Sequence, residues 1–118
     1  MRRIFLLVSL AACGPSVVTD TVTEGSVCRK TDTVVFMFDT CLSSSCDTVV
    51  AEACEATLAG TVITVTGAAT IDREQGECTD DCGFVEVECD LPDVSGLDGV
   101  TLVVGDVSTA WEDAECGV

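Results

Sequence analysis

The sequence contains no histidine and no tyrosine, and only five of its 118 residues are lysine or arginine. The absence of histidine removes the commonest general base and a frequent metal ligand. The scarcity of positive charge argues against nucleic-acid binding, which depends on neutralising phosphates. The nine cysteines form no CxxC motif, so zinc binding and thiol–disulfide exchange are both disfavoured.

Long apolar runs are also missing. The apolar segment at residues 4–12 would rise only about 14 Å as a helix, whereas a transmembrane helix needs about 20 residues. Arg2 and Arg3 precede this segment, and the small residues Ala11 and Ala12 end it just before Cys13. This order of positive charge, apolar run and small residues predicts an export signal with a cleavage site between Ala12 and Cys13.

The four residues Leu10-Ala11-Ala12-Cys13 resemble the lipobox of bacterial lipoproteins. The resemblance implies that the Cys13 sulfur receives a diacylglycerol, that the chain is cut before Cys13, and that the new amino group is acylated, for example with palmitate. Two or three acyl chains would anchor the protein to a bilayer without a protein partner. Gly14 resembles the residue found in lipoproteins sorted to the outer membrane. The alternative is that residues 4–12 form a buried strand or helix and that Cys13 joins a disulfide.

Removal of Cys13 from the count leaves an even number of cysteines, which predicts a framework of four disulfides in an oxidising compartment. These eight residues are Cys28, Cys41, Cys46, Cys54, Cys78, Cys82, Cys89 and Cys116. We expect Cys54 to pair with Cys89 between core strands and Cys28 with Cys116 at the domain ends. The short spacings favour local bridges from Cys41 to Cys46 and from Cys78 to Cys82.

Acidic residues dominate the predicted mature chain, which holds all 21 Asp and Glu but only Arg29, Lys30 and Arg73 as cations, a net charge of 3 − 21 = −18. Such a surface is typical of a well-solvated protein and disfavours charge-driven binding to anionic lipid. Glu77, Asp80 and Asp81 form the densest acidic loop. Their oxygens are candidate Ca²⁺ ligands, although the spacing is not that of an EF-hand; no other cofactor is predicted.

Short segments rich in valine and threonine predict an all-β fold, with strands at 33–40, 47–58, 83–90 and 99–107 and a two-residue turn at Ala59 and Gly60. We expect a small, disulfide-stabilised antiparallel β-sandwich, immunoglobulin-like in architecture, with a small barrel as the alternative. The predicted organisation is a signal peptide at 1–12, a lipidated N-terminus and flexible tether at 13–26, and a disulfide-rich β-domain at 27–118.

The residues predict no catalytic centre, and the whole chain resembles short cysteine-rich lipoproteins of the bacterial envelope. That resemblance implies an exported protein held at the outer membrane, facing the periplasm or the cell surface. Our main hypothesis is a non-enzymatic lipoprotein whose β-domain has a structural role or binds a protein or glycan. The alternatives are a calcium-dependent adhesion or carbohydrate-binding module and a small hydrolase inhibitor that presents a rigid loop at residues 42–45.

Overall fold

A computed structural model describes residues 16–117, which are built almost entirely from β-strands. The strands are β1 (Val17–Val22), β2 (Gly25–Arg29), β3 (Thr33–Leu42), β4 (Asp47–Ala59), β5 (Val62–Glu74), β6 (Gly83–Asp90), β7 (Thr101–Val104) and β8 (Val107–Ala110). A 3₁₀ turn, Trp111–Asp113, follows β8. The predicted all-β class is therefore confirmed. No helix within residues 16–117 is long and apolar enough to cross a membrane.

The strands form two sheets. In the larger sheet, β4 pairs antiparallel with β5 along one edge, while β1 and β7 share the other edge of β5 and β8 pairs with β7. The smaller sheet has the order β2-β3-β6, with antiparallel pairs. The larger sheet is mixed because β7 runs parallel to β5. The immunoglobulin-like arrangement stays a prediction.

The hydrophobic core lies between the two sheets and is formed by alternate residues of their strands. Phe36 and Phe38 of β3 face Ile63 and Val65 of β5 within one buried cluster. The side chains of a strand alternate between its two faces, so this pattern turns every second residue inward. No polar or charged residue among those described is buried, so the polar groups of the core are those of the backbone, which pair within the sheets.

The predicted strand at 83–90 coincides with β6, and the predicted strands at 33–40 and 47–58 lie within β3 and β4. The hairpin between β4 and β5 is also confirmed, but its turn lies one residue later than predicted. Leu58 pairs with Ile63 and Ala59 with Val62, which leaves Gly60 and Thr61 as the two turn residues. Gly60 has a φ of 62°, a value that glycine adopts without a Cβ clash.

The predicted tether at 13–26 is wrong for most of its length. Val17–Val22 forms β1, which pairs with β5 at all six positions, and Gly25–Arg29 forms β2 against β3. Five of the six residues of β1 are Val or Thr, which favour strand structure, and the free edge of β5 supplies hydrogen-bond partners for β1. The ordered domain therefore begins well before the predicted boundary at residue 27.

The predicted strand at 99–107 is also wrong, because this segment turns back on itself. Thr101–Val104 and Val107–Ala110 form an antiparallel hairpin, and Val104 pairs with Val107. Gly105 has a φ of 57°, which allows Gly105 and Asp106 to close a two-residue turn. The Gly-Asp dipeptide is a sequence signal for a two-residue turn of this kind.

Four disulfides connect the eight predicted cysteines. The Cys28–Cys116 and Cys54–Cys89 bridges are confirmed, with Cα–Cα separations of 4.7 and 5.1 Å. The two local bridges are wrong, since Cys41 pairs with Cys82 and Cys46 with Cys78. A framework of this density places the protein in an oxidising, extracytoplasmic compartment.

The two corrected bridges follow from strand pairing. Cys41 lies in β3 opposite Phe84, so the pairing of β3 with β6 brings Cys41 close to Cys82. The Glu74 N–H donates to the Cys46 carbonyl over 2.9 Å, which brings Cys46 close to the chain that leads to Cys78. The fold thus places partners that are distant in sequence nearer than the local cysteines.

Candidate functional site

The predicted lipidation site, Cys13, and the predicted cleavage site after Ala12 lie outside the described residues 16–117. Within the described part, the densest group of polar side chains lies where two loops meet. We call these loops, residues 43–46 and 75–82, the clamped loop pair. The Cys46–Cys78 bridge joins the two loops directly, and the Cys41–Cys82 bridge ties the second loop to the end of β3, just before the first loop.

Hydroxyl groups connect the two loops inside this clamp. Ser43 Oγ lies 2.9 Å from Thr79 Oγ1, and the Thr79 N–H donates to Ser45 Oγ over 2.9 Å. The Thr79 hydroxyl also donates to the carboxylate of Asp81. Asp81 in turn accepts a hydrogen bond from the Ser44 N–H over 3.2 Å, so each loop supplies both donors and acceptors to the other.

The hydrogen bonds to Asp81 lower the pKa of its carboxyl group. The Thr79 hydroxyl, followed by the side chain and backbone of Ser44, lowers the pKa of Asp81 to about 2. A carboxylate with so low a pKa accepts protons poorly at neutral pH, whereas an effective general base has a pKa near the working pH. Ser43, Ser44 and Thr79 therefore surround a carboxylate that accepts protons weakly at neutral pH.

The three predicted calcium ligands do not converge. The Asp81 carboxylate accepts hydrogen bonds from Thr79 and Ser44. Asp81, Glu77 and Asp80 do not form a group that could hold a cation. Among residues 16–117, no group of three or more acidic or cysteine side chains is arranged to hold a metal ion. The acidic loop acts within this structure as a hydrogen-bonding partner for the serine-rich turn.

The loop predicted for hydrolase inhibition is rigid but tightly turned. The Asp47 N–H donates to the Ser43 carbonyl over 3.0 Å, and the Ser43 N–H donates to the Asp47 carboxylate over 2.7 Å. These contacts close the turn on itself. Of the predicted loop 42–45, Leu42 ends β3 and residues 43–45 lie in this turn; the inhibitory role itself stays a prediction.

No family model, curated protein or solved structure matches this chain. Its function is therefore inferred from its own residues.

An exposed aromatic side chain lies beside the clamped loop pair. Phe84 of β6 is 73% exposed and lines an open groove of about 430 Å³ together with Met37 and the Cys41–Cys82 bridge. The alternation of β6 places Phe84 on the same outward face as Glu86. The sequence signal was present, because a phenylalanine in register with exposed glutamates must face solvent.

Trp111 lies near the other end of the larger sheet and is held by Arg29. The Arg29 Nε donates to the Trp111 carbonyl over 2.6 Å, and its guanidinium lies 4.9 Å from the ring centroid. The indole packs against the core and lines a pocket of about 170 Å³ with Leu97 and Asp98. Trp111 therefore combines a packing role with partial exposure at a small pocket.

Proposed function

We propose that this protein is an exported, non-enzymatic bacterial lipoprotein, anchored in the outer membrane through acylated Cys13. Its disulfide-braced β-domain serves a structural or binding role outside the cytoplasm. The observation that carries the proposal is the use of the cysteines. The sequence has nine, and four bridges within the domain use eight of them.

Cys13 is the cysteine that these bridges do not need. A disulfide role would require a partner, and every other cysteine of the chain already has one. Its place after small residues and an apolar run suits thioether attachment of a lipid. The oxidising compartment that the disulfides require is also the compartment in which lipoproteins are processed.

The polar chemistry of the domain supports a non-enzymatic role. The carboxylate closest to a group of hydroxyls, Asp81, has a pKa lowered to about 2, and the chain has no histidine to replace it as a base. The half-buried Trp111, which lines a small pocket, is a side-chain type enriched at binding surfaces. Binding of a protein or glycan fits these features better than catalysis does.

The proposal is tested by the intact mass of protein purified from membranes of a Gram-negative host, measured with and without reductant. We expect loss of residues 1–12, added acyl mass on Cys13, and a gain of eight hydrogens on reduction of the four bridges. The Cys13→Ser variant is the control, since it should keep all four bridges yet stay uncut and without lipid. A native chain that retains residues 1–12 and carries unmodified Cys13 would refute the proposal.

A further inference from the structure

We propose that the end of the β-domain where β1 begins lies against the lipid bilayer, with Val17 and Val18 in contact with the headgroups. The proposal rests on the acylation of Cys13 proposed above. It assigns a lipid-facing surface to the domain and leaves the opposite end free for partners. The observations that carry it are the short connection to Cys13, the fixed position of β1, and the exposure of its first two side chains.

The connection between Cys13 and the ordered domain is very short. Only Gly14, Pro15 and Ser16 separate Cys13 from the first residue of β1. A fully extended chain covers at most about 3.6 Å per residue, so the Val17 Cα lies within about 14 Å of the Cys13 Cα. A domain tied this closely to a lipidated residue cannot stand away from the bilayer.

The position of β1 within the domain is fixed from its first residue. Val17 pairs with Glu74 and Val18 with Arg73, and the Gln75 N–H donates to the Ser16 carbonyl over 2.9 Å. The start of β1 therefore cannot lengthen the connection without breaking pairs with β5. The end of the domain that carries these pairs is the end held at the membrane.

The first two side chains of β1 are apolar and point into solvent. Val17 is 53% exposed and Val18 is 51% exposed. Adjacent residues of a strand point to opposite faces, so both faces of the sheet edge present methyl groups where the chain leaves the bilayer. A lipid surface would cover this apolar area, which no other described segment covers.

The long axis of β5 then defines which parts of the domain lie near the membrane. The clamped loop pair lies at the membrane end, because Glu74 bonds to Cys46. The 13 residues of β5 span roughly 43 Å, and the turn at Gly60 and Thr61 lies at the far end. Trp111 belongs to that far region, since Thr101 bonds to Thr61 and Trp111 to Val100.

The proposal is tested by tryptophan quenching in vesicles. Lipidated protein is reconstituted in phosphatidylcholine vesicles in which part of the lipid carries a nitroxide on its headgroup. We expect wild-type fluorescence, which comes from Trp111 alone, to be quenched little by the nitroxide. Val17→Trp should add a strongly quenched component, whereas Val107→Trp, at a valine of similar exposure (59%), should add an unquenched one.

One further variant and a flotation assay separate this proposal from the proposed anchoring. In the Val17→Trp variant, insertion of ten Gly and Ser residues after Pro15 should abolish the quenched component from position 17. The protein should still float with the vesicles. Failure of the wild-type protein to float would refute the anchoring itself. A protein that floats but shows equal quenching at positions 17 and 107, or none at 17, would overturn the orientation alone.

Discussion

At the scale of single residues, the polar contacts of the clamped loop pair centre on one carboxylate. Asp81 accepts hydrogen bonds from Thr79 and Ser44, and these bonds hold its pKa near 2. Because the folded pKa lies below the ordinary value of 3.8, the charged form stabilises the fold. That stabilisation is fully present above pH 3.8 and is lost as the pH falls through about 2.

Removal of the Thr79 hydroxyl should raise the pKa of Asp81 toward its ordinary value, because the largest contribution to the lowered pKa would be lost. The carboxyl carbon shift of Asp81, followed by NMR from pH 6 to pH 1.5, measures the change. Thr79→Ser is the matched control, since it keeps a hydroxyl at the same position and should leave the pKa low. An unchanged titration midpoint in Thr79→Ala would contradict the assignment.

Arg73 is the second residue with an unusual number of contacts. Its guanidinium donates to Asp20 of β1 over 3.3 Å, to Asp47 of β4 over 3.1 Å and to Thr40 of β3 over 2.7 Å. The Asp47 side chain is only 10% exposed. The planar Arg73 guanidinium therefore connects three strands from both sheets. A lysine ammonium lacks this planar set of donors and cannot make the same contacts.

Arg73→Ala should lower the free energy of unfolding by about 2 kcal/mol, because hydrogen bonds to a charged group are lost and Asp47 stays largely buried. Arg73→Lys should recover only part of this loss. Urea unfolding of the oxidised protein measures both. Lys30→Ala provides the comparison, since its exposed pair with Glu88 should contribute less than about 1 kcal/mol. Equal losses for Arg73→Ala and Lys30→Ala would contradict the bridging role.

At the scale of strands, β2 requires a very close approach between its first residue and β3. A Cβ on Gly25 would collide with the carbonyl oxygen of Met37 and lie 2.6 Å from Phe36 Cε1. The Met37 oxygen belongs to the strand backbone and cannot move independently of the sheet. Only glycine fits at this position.

Gly25→Ala should therefore lower the free energy of unfolding by about 1–3 kcal/mol, as expected for an overpacked core. Gly117→Ala is the control, because a Cβ at Gly117 would meet no atom within 4 Å. Thermal unfolding of the two variants under identical oxidising conditions makes the comparison. A Gly25→Ala variant as stable as Gly117→Ala would show that the strands do not approach this closely.

The same strands show what the sequence could and could not predict. The strand β6 was predictable because Val85 and Val87 alternate with Glu86 and Glu88, and one face is buried. The strand β1 was missed because its residues Val17 to Thr21 are all exposed, so alternation leaves no signal. Its order comes from the edge of β5, a partner 53 residues away at Thr19.

The disulfides likewise include some that could be predicted from the sequence and some that could not. Cys54 and Cys89 could be paired from the inward faces of two predicted strands, and these faces are confirmed by the shared core. The partners of Cys41 and Cys46 depend on how β3 meets β6 and how β4 meets β5. Tertiary pairing of this kind is not encoded in the spacing of neighbouring cysteines. The hydrogen bonds of Asp81 with Ser44 and Thr79 could not be predicted either, because they form only when the fold brings the two loops together.

At the scale of the whole molecule, the charge is strongly unbalanced, and each of the three cations within residues 16–117 contacts a partner. Lys30 pairs with Glu88, Arg73 pairs with Asp20 and Asp47, and Arg29 packs on Trp111. The 21 acidic residues outnumber the three cations after residue 13 by seven to one, so most carboxylates cannot each have a cation of their own. Repulsion among carboxylates destabilises the compact state.

Screening by salt should therefore stabilise the folded domain. An increase from about 0.01 M to 0.5 M ionic strength shortens the Debye length several-fold, and we expect a gain on the order of 1 kcal/mol, or several degrees in melting temperature. NaCl and KCl should act equally, because screening depends on ionic strength. Replacement of exposed Glu52 and Glu55 of β4 by lysine should reduce the slope, since these changes remove repulsion directly. A melting temperature that stays constant or falls with salt would mean that the surviving ion pairs, above all those of Arg73, outweigh the repulsion among the remaining carboxylates.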